Sequence, residues 1–80
     1  MPFHNRLNQT RKERGFTAQR MADIMQVSIR TYRHWESGYS SPSLESLVQL
    51  ADLLNVSTDY LLCRDDFLAG RADESRTDLP

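Results

Sequence analysis

Arg30, Arg33 and His34 crowd into the segment VSIRTYRHWESG. Arginine can grip guanine O6 and N7 with two parallel hydrogen bonds, and an imidazole can bond a base edge or a phosphate in its neutral or protonated form. These residue types suit nucleic-acid recognition if the chain presents them on one side, and a helix does so. With Tyr32 as the inward reference and about 100° per residue, Glu36 lies roughly 40° away, and Ile29 and Trp35 lie roughly 60° to either side. On the same count Arg30 and His34 lie roughly 160° to either side of Tyr32 and Arg33 roughly 100° from it. The inner side is therefore Ile29, Tyr32, Trp35 and Glu36, and the outer side is cationic and hydrogen-bonding. A helix of this diameter fits the major groove of B-form DNA. Periodicity alone leaves open the alternative of an ordinary solvated face.

Two short helical patterns meet across a three-residue turn within residues 16–43, and this pair positions the outer stripe. Five helices are expected in all. The first runs over residues 3–14, with Phe3 and Leu7 one turn apart and Gly15 ending it in the left-handed conformation. Thr17 caps the second, in which Met21, Ala22 and either Met25 or Ile24 point inward. Ser28 caps the third. Pro42 and Ser43 start the fourth, where Leu44, Leu47, Val48, Ala51 and Leu54 repeat at the spacing of one buried face. Ser57, with Asp59 in the first turn, starts the fifth, whose Tyr60, Leu61 and Leu62 complete the core or a subunit contact. No strand alternation or internal repeat occurs. Glu36 on the inner side requires a partner, because an unpaired buried charge is costly.

Eighty residues with 39% hydrophobic and 26% charged side chains suit one small globular domain with a marginal core. No apolar run is long enough to span a membrane and no hydrophobic leader is evident, so a cytoplasmic protein is expected. The single cysteine, Cys63, reads as a small core or interface residue rather than a reactive thiol. The net charge of −1 hides an asymmetry: residues 1–36 carry seven basic side chains against three acids, and residues 37–80 carry three against eight. The basic half suits phosphates, although the modest total predicts weak non-specific binding. There is no glycine-rich phosphate loop, no Cys or His pair at metal-ligand spacing, and no nucleophile beside a base. The sequence implies no enzyme, cofactor or metal.

Residues 6–62 resemble the helix-turn-helix domain of the Cro and phage-repressor family, also called the xenobiotic-response-element type. The matching pieces are RLNQTRKERGFT, then Ala22, then VSIRTYRHWESG, then SPSLESLVQLADLLNVSTDYLL. The combination of a W-E-x-G after a V-S-started helix with P-S-L-E-x-L shortly beyond is specific. The resemblance implies an all-α, compact, five-helix, lambda-repressor-like fold over residues 1–64. It implies base reading by Ile29, Arg30 and His34, with Arg33 beside them; Ile29 would meet a thymine methyl or pack at the core edge. Phosphate contacts fall at the start of helix 2 (Thr17, Ala18, Gln19), at Ser28, and in the loop after helix 3 (Tyr39, Ser40, Ser41, Ser43). It also supplies a partner for Glu36, since members commonly pair this glutamate with a basic residue of helix 1, here Arg11. Two positions depart from the pattern. Ala18 stands where many members carry Gln, and Gln26 stands in the turn where Gly is frequent. A left-handed residue at Gln26 would carry about 1 kcal/mol of strain, so a slightly different turn is expected.

The functional expectation is a sequence-specific DNA-binding transcriptional regulator of repressor type, acting as a homodimer on an inverted-repeat operator in double-stranded DNA. The dimer is expected to form through helix 5 and the start of the tail. Residues 65–80 are expected to be an acidic, partly disordered extension in which Phe67 and Leu68 cover this chain's core or a partner. The competing reading is a protein-interaction module on the same scaffold, such as an antitoxin. A restriction-modification controller, a small DNA-binding dimer, is a third.

Overall fold

The computed structural model describes residues 1–65. It comprises α1 (Phe3–Glu13), α2 (Ala18–Met25), α3 (Ile29–Ser37), α4 (Leu44–Leu54) and α5 (Thr58–Leu61), with no strand among the described residues. Hydroxyl caps set the starts of four of them. Thr17, Ser28, Ser43 and Ser57 are extended and accept from the backbone N–H of Arg20, Thr31, Ser46 and Tyr60. Their ends are set by left-handed residues: Gly15 (φ 81°) follows α1, and Gln26, Gly38 and Asn55 close α2, α3 and α4.

Gln26 corrects an expectation. It adopts φ 60°, ψ 41°, so the turn keeps the left-handed shape despite the missing glycine. Val27 N–H donates to the Ala22 carbonyl at 3.0 Å, which satisfies a terminal acceptor of α2 and offsets the strain.

The core joins all five helices through Leu7, Met21, Ala22, Tyr32, Trp35, Leu47, Leu50, Ala51, Leu54 and Leu61. On α2, Met25 is the half-buried member and Ile24 is largely exposed. The α4 face differs from expectation: Leu44 and Val48 are 81% and 50% exposed, whereas Leu50 is fully buried. The apolar stripe is wider than the arc the core covers, and the buried arc of Leu47, Leu50, Ala51 and Leu54 is rotated by about 50° from the one expected. On α5 only Leu61 is fully buried; Tyr60 is half-buried and Leu62 exposed, because the helix is a single turn. Cys63 is half-buried and left-handed.

Arginines of α1 fasten the far elements. Arg14 Nε donates to the Leu54 carbonyl at 2.9 Å, closing α4 against α1. Arg6 donates to the Tyr60 carbonyl at 3.1 Å, lies 4.2 Å from the Tyr60 ring centroid and meets Asp65 at 3.4 Å. Most of the expected acidic extension, with Phe67 and Leu68, lies outside the described residues. No helix among those described is long and apolar enough to cross a membrane.

Candidate nucleic-acid interface

α3 is held by its inner side so that its outer side is free. Tyr32 and Trp35 are buried and meet edge to face at 5.9 Å, and Ile29 is half-buried against the core. Arg30 and Arg33 are exposed and make no hydrogen bond or ion pair with any described residue. His34 is half-buried, and its ring packs at a tilt against Tyr39, centroids 4.5 Å apart. Arg30 and Arg33 therefore project from a helix whose rotation is set elsewhere.

What sets that rotation is the carboxylate of Glu36. Arg11 Nε donates to Oε2 at 2.7 Å and Nη2 to Oε1 at 3.2 Å, while Nη1 donates to the Phe16 carbonyl at 2.8 Å. Asn8 Nδ2 donates to Oε1 at 2.7 Å, and the Tyr32 hydroxyl donates to Oε2. Only 12% of the Arg11 side chain and 10% of that of Glu36 reach solvent. Burial opposes the charge on Glu36, but the hydrogen bonds from Arg11, Tyr32 and Asn8 outweigh it and hold the carboxyl below the usual range. The same bond to Glu36 raises Arg11, and burial next to the carboxylate pushes the Tyr32 phenol well up, so it remains a donor. Asn8 and Tyr32 were not anticipated as members of this cluster. The signal for both was present, since Asn8 and Arg11 share a face of α1 at three-residue spacing and Tyr32 precedes Glu36 by four.

The expected phosphate-contacting residues divide by what their side chains already do. Thr17, Ser28 and Ser43 use their oxygens as caps, and Ser28 and Ser43 also pair with the Thr31 and Ser46 hydroxyls. Gln19 donates to Asp23 at 2.9 Å. Ala18 packs its methyl against the core, leaving only backbone to offer at α2's start. Tyr39 is 79% exposed, and Ser40 and Ser41 are exposed beside it. Helix N-termini capped in this way keep unpaired N–H groups aimed outward, a geometry that attracts anions.

No group of three or more potential metal ligands occurs among the described residues. A shallow apolar groove of about 210 Å³ is lined by Phe3, Ser41, Pro42, Leu44, Leu47 and Leu62, next to the loop that carries Tyr39.

Residues 7–61 match the helix-turn-helix family. Among curated proteins, the chain is 43% identical over 61 residues to the HTH-type transcriptional regulator AnsR of Bacillus subtilis, covering 76% of this chain and 53% of that protein. It is 32% identical over 79 residues to the HTH-type transcriptional regulator ImmR of the same organism, covering 99% and 59%. It is 39% identical over 64 residues to the cryptic phage CTXphi transcriptional repressor RstR of Vibrio cholerae, covering 80% and 57%. The chain thus spans little more than half the length of these relatives.

Proposed function

Because this chain belongs to the helix-turn-helix family, of the Cro and phage-repressor type, we propose that it is a sequence-specific DNA-binding transcriptional regulator, acting as a repressor in the cytoplasm. The observation that carries this reading is the pair of exposed arginines, Arg30 and Arg33, without a partner among the described residues and on the outer side of a helix locked to α1 through Glu36. Such a helix can enter the major groove as a rigid body, so the cost of ordering it does not fall on binding. Arg30 reads a guanine, Arg33 and His34 flank it, and Ile29 meets a thymine methyl with the edge that the core leaves uncovered. The start of α2 (Thr17, Ala18, Gln19), Ser28 and the loop from Tyr39 to Ser43 hold phosphates, in part through backbone N–H groups.

One such unit reads too few base pairs for specificity in a genome. Two copies on an inverted repeat, with recognition helices about 34 Å apart, supply the rest. The dimer forms through α5 and the start of the tail; the exposed Leu62 and its groove neighbour Leu44 offer apolar surface there. The test is selection of bound sequences from a random DNA pool, followed by the stoichiometry of the winning complex. The reading requires a two-fold symmetric consensus holding two protomers. Enrichment of nothing over random DNA overturns it.

A further inference from the structure

We propose that Tyr39 is a specificity-determining positioning residue: its ring, stacked on the His34 imidazole, fixes the direction in which that imidazole meets a base, a role separate from any phosphate contact of its hydroxyl. The inference rests on the DNA-reading function proposed above. Neither ring nitrogen of His34 bonds to a described residue, so hydrogen bonding among these residues does not orient it. The contact that does is Tyr39, at 4.5 Å between centroids and 45° between planes, within the range in which aromatic rings attract in tilted arrangements.

Tyr39 is itself placed by the backbone. α3 ends in a left-handed turn at Gly38 (φ 85°), and a Cβ at that position would lie 2.8 Å from the His4 ring, so both the turn and the close approach require glycine. The turn folds the following residues back on the helix end. Ser37 Oγ and Ser40 N–H both donate to the His34 carbonyl, at 3.2 and 3.3 Å, and Tyr39 N–H donates to Ser37 Oγ at 3.3 Å. The loop is thus tied to His34 directly through Ser40 and indirectly through Ser37, and its tyrosine meets the side chain of the same residue. With 79% of Tyr39 exposed, the contact buries too little to serve the core, and most of the ring stays open to solvent two residues past the end of α3.

The experiment compares wild type, Tyr39→Phe, Tyr39→Ala, His34→Ala and the double variant, first free and then on the selected operator with each base pair varied. In the free protein, the His34 ring-proton resonances should keep their ring-current shift in Tyr39→Phe and lose it in Tyr39→Ala. On DNA, Tyr39→Ala should flatten the preference at the one base pair that His34→Ala also flattens, by about three- to tenfold. The double variant should flatten it no further, and Tyr39→Phe should keep the wild-type base preferences even if loss of its hydroxyl weakens binding to every sequence equally. An unchanged His34 resonance in Tyr39→Ala overturns the proposal. So does a uniform loss across all sequences that Tyr39→Phe reproduces, which would mark a phosphate contact alone. If His34→Ala leaves every preference intact, the imidazole reads nothing and the proposal also falls. Failure of the wild type to select any sequence would defeat the DNA-reading function itself, whereas the other failures leave that function standing.

Discussion

Replacing Glu36 by Gln keeps the shape of the side chain and removes its charge, so it isolates the cluster that locks α3 to α1. Arg11 donates to both carboxylate oxygens, through Nε and Nη2, so an amide in their place must point its NH2 at a donor whichever way it turns. Either rotamer also removes the acceptor that Asn8 or Tyr32 now uses, so one of them must turn its own polar group to keep a bond. Breaking a buried ion pair at one partner costs about 3–5 kcal/mol. Because each side chain keeps about a tenth of its surface in water, the lower end applies, about 3 kcal/mol. A domain of this size has about 4–12 kcal/mol in total. At about 4–8 °C per kcal/mol, the melting temperature should fall by about 12–24 °C, read by helical circular dichroism. At a temperature where the variant is still folded, its DNA affinity should fall as well, since the rotation of α3 is no longer fixed. A melting temperature and an affinity both equal to wild type would mean that the Glu36 cluster does not fix α3.

The pH dependence follows from the same carboxyl, whose folded pKa lies below the unfolded value of about 4.3. Its stabilisation is fully present above that value and is lost as pH falls through the lower folded one. The gap in unfolding free energy between wild type and Glu36→Gln should therefore be constant above about pH 5 and shrink below about pH 4 in denaturant titrations. Gln26→Gly should raise stability by about 0.5–1 kcal/mol, because glycine holds φ 60° without strain. Gly38→Ala should cost more than Gly15→Ala in thermal melts: both replace a left-handed glycine at about 1–2 kcal/mol, but only Gly38 faces a side chain, His4, within 3 Å.

The fold was legible where its causes are local. Hydroxyl caps at Thr17, Ser28, Ser43 and Ser57 stand where the sequence puts them, because capping needs only a side chain and the N–H three residues on. The two sides of α3 were legible for the same reason, since one buried aromatic reference fixes the rest of a helix. The α4 face was misjudged at Leu44 and Val48 because an apolar stripe says which residues suit the core and not how much of the stripe the core covers. Gln26 showed that a turn held by neighbouring packing tolerates a residue its local preference disfavours. The ring of Tyr39 on His34 and the approach of His4 to Gly38 were not legible. They depend on how the chain folds back after α3, which periodicity does not encode.

In the proposed complex α3 reads base edges with Arg30. The measurement that tests it most directly is the affinity of wild type and Arg30→Ala for the selected operator and for each of its single base-pair variants at fixed salt. Arg30 is exposed and has no partner among the described residues, so its loss should leave the fold of those residues intact. Base reading by Arg30 requires a loss of about 1–3 kcal/mol on the operator, with discrimination relaxed at one base pair in each half-site and unchanged elsewhere. An equal loss on every sequence, with the preference at each base pair preserved, would place Arg30 on phosphate and contradict it.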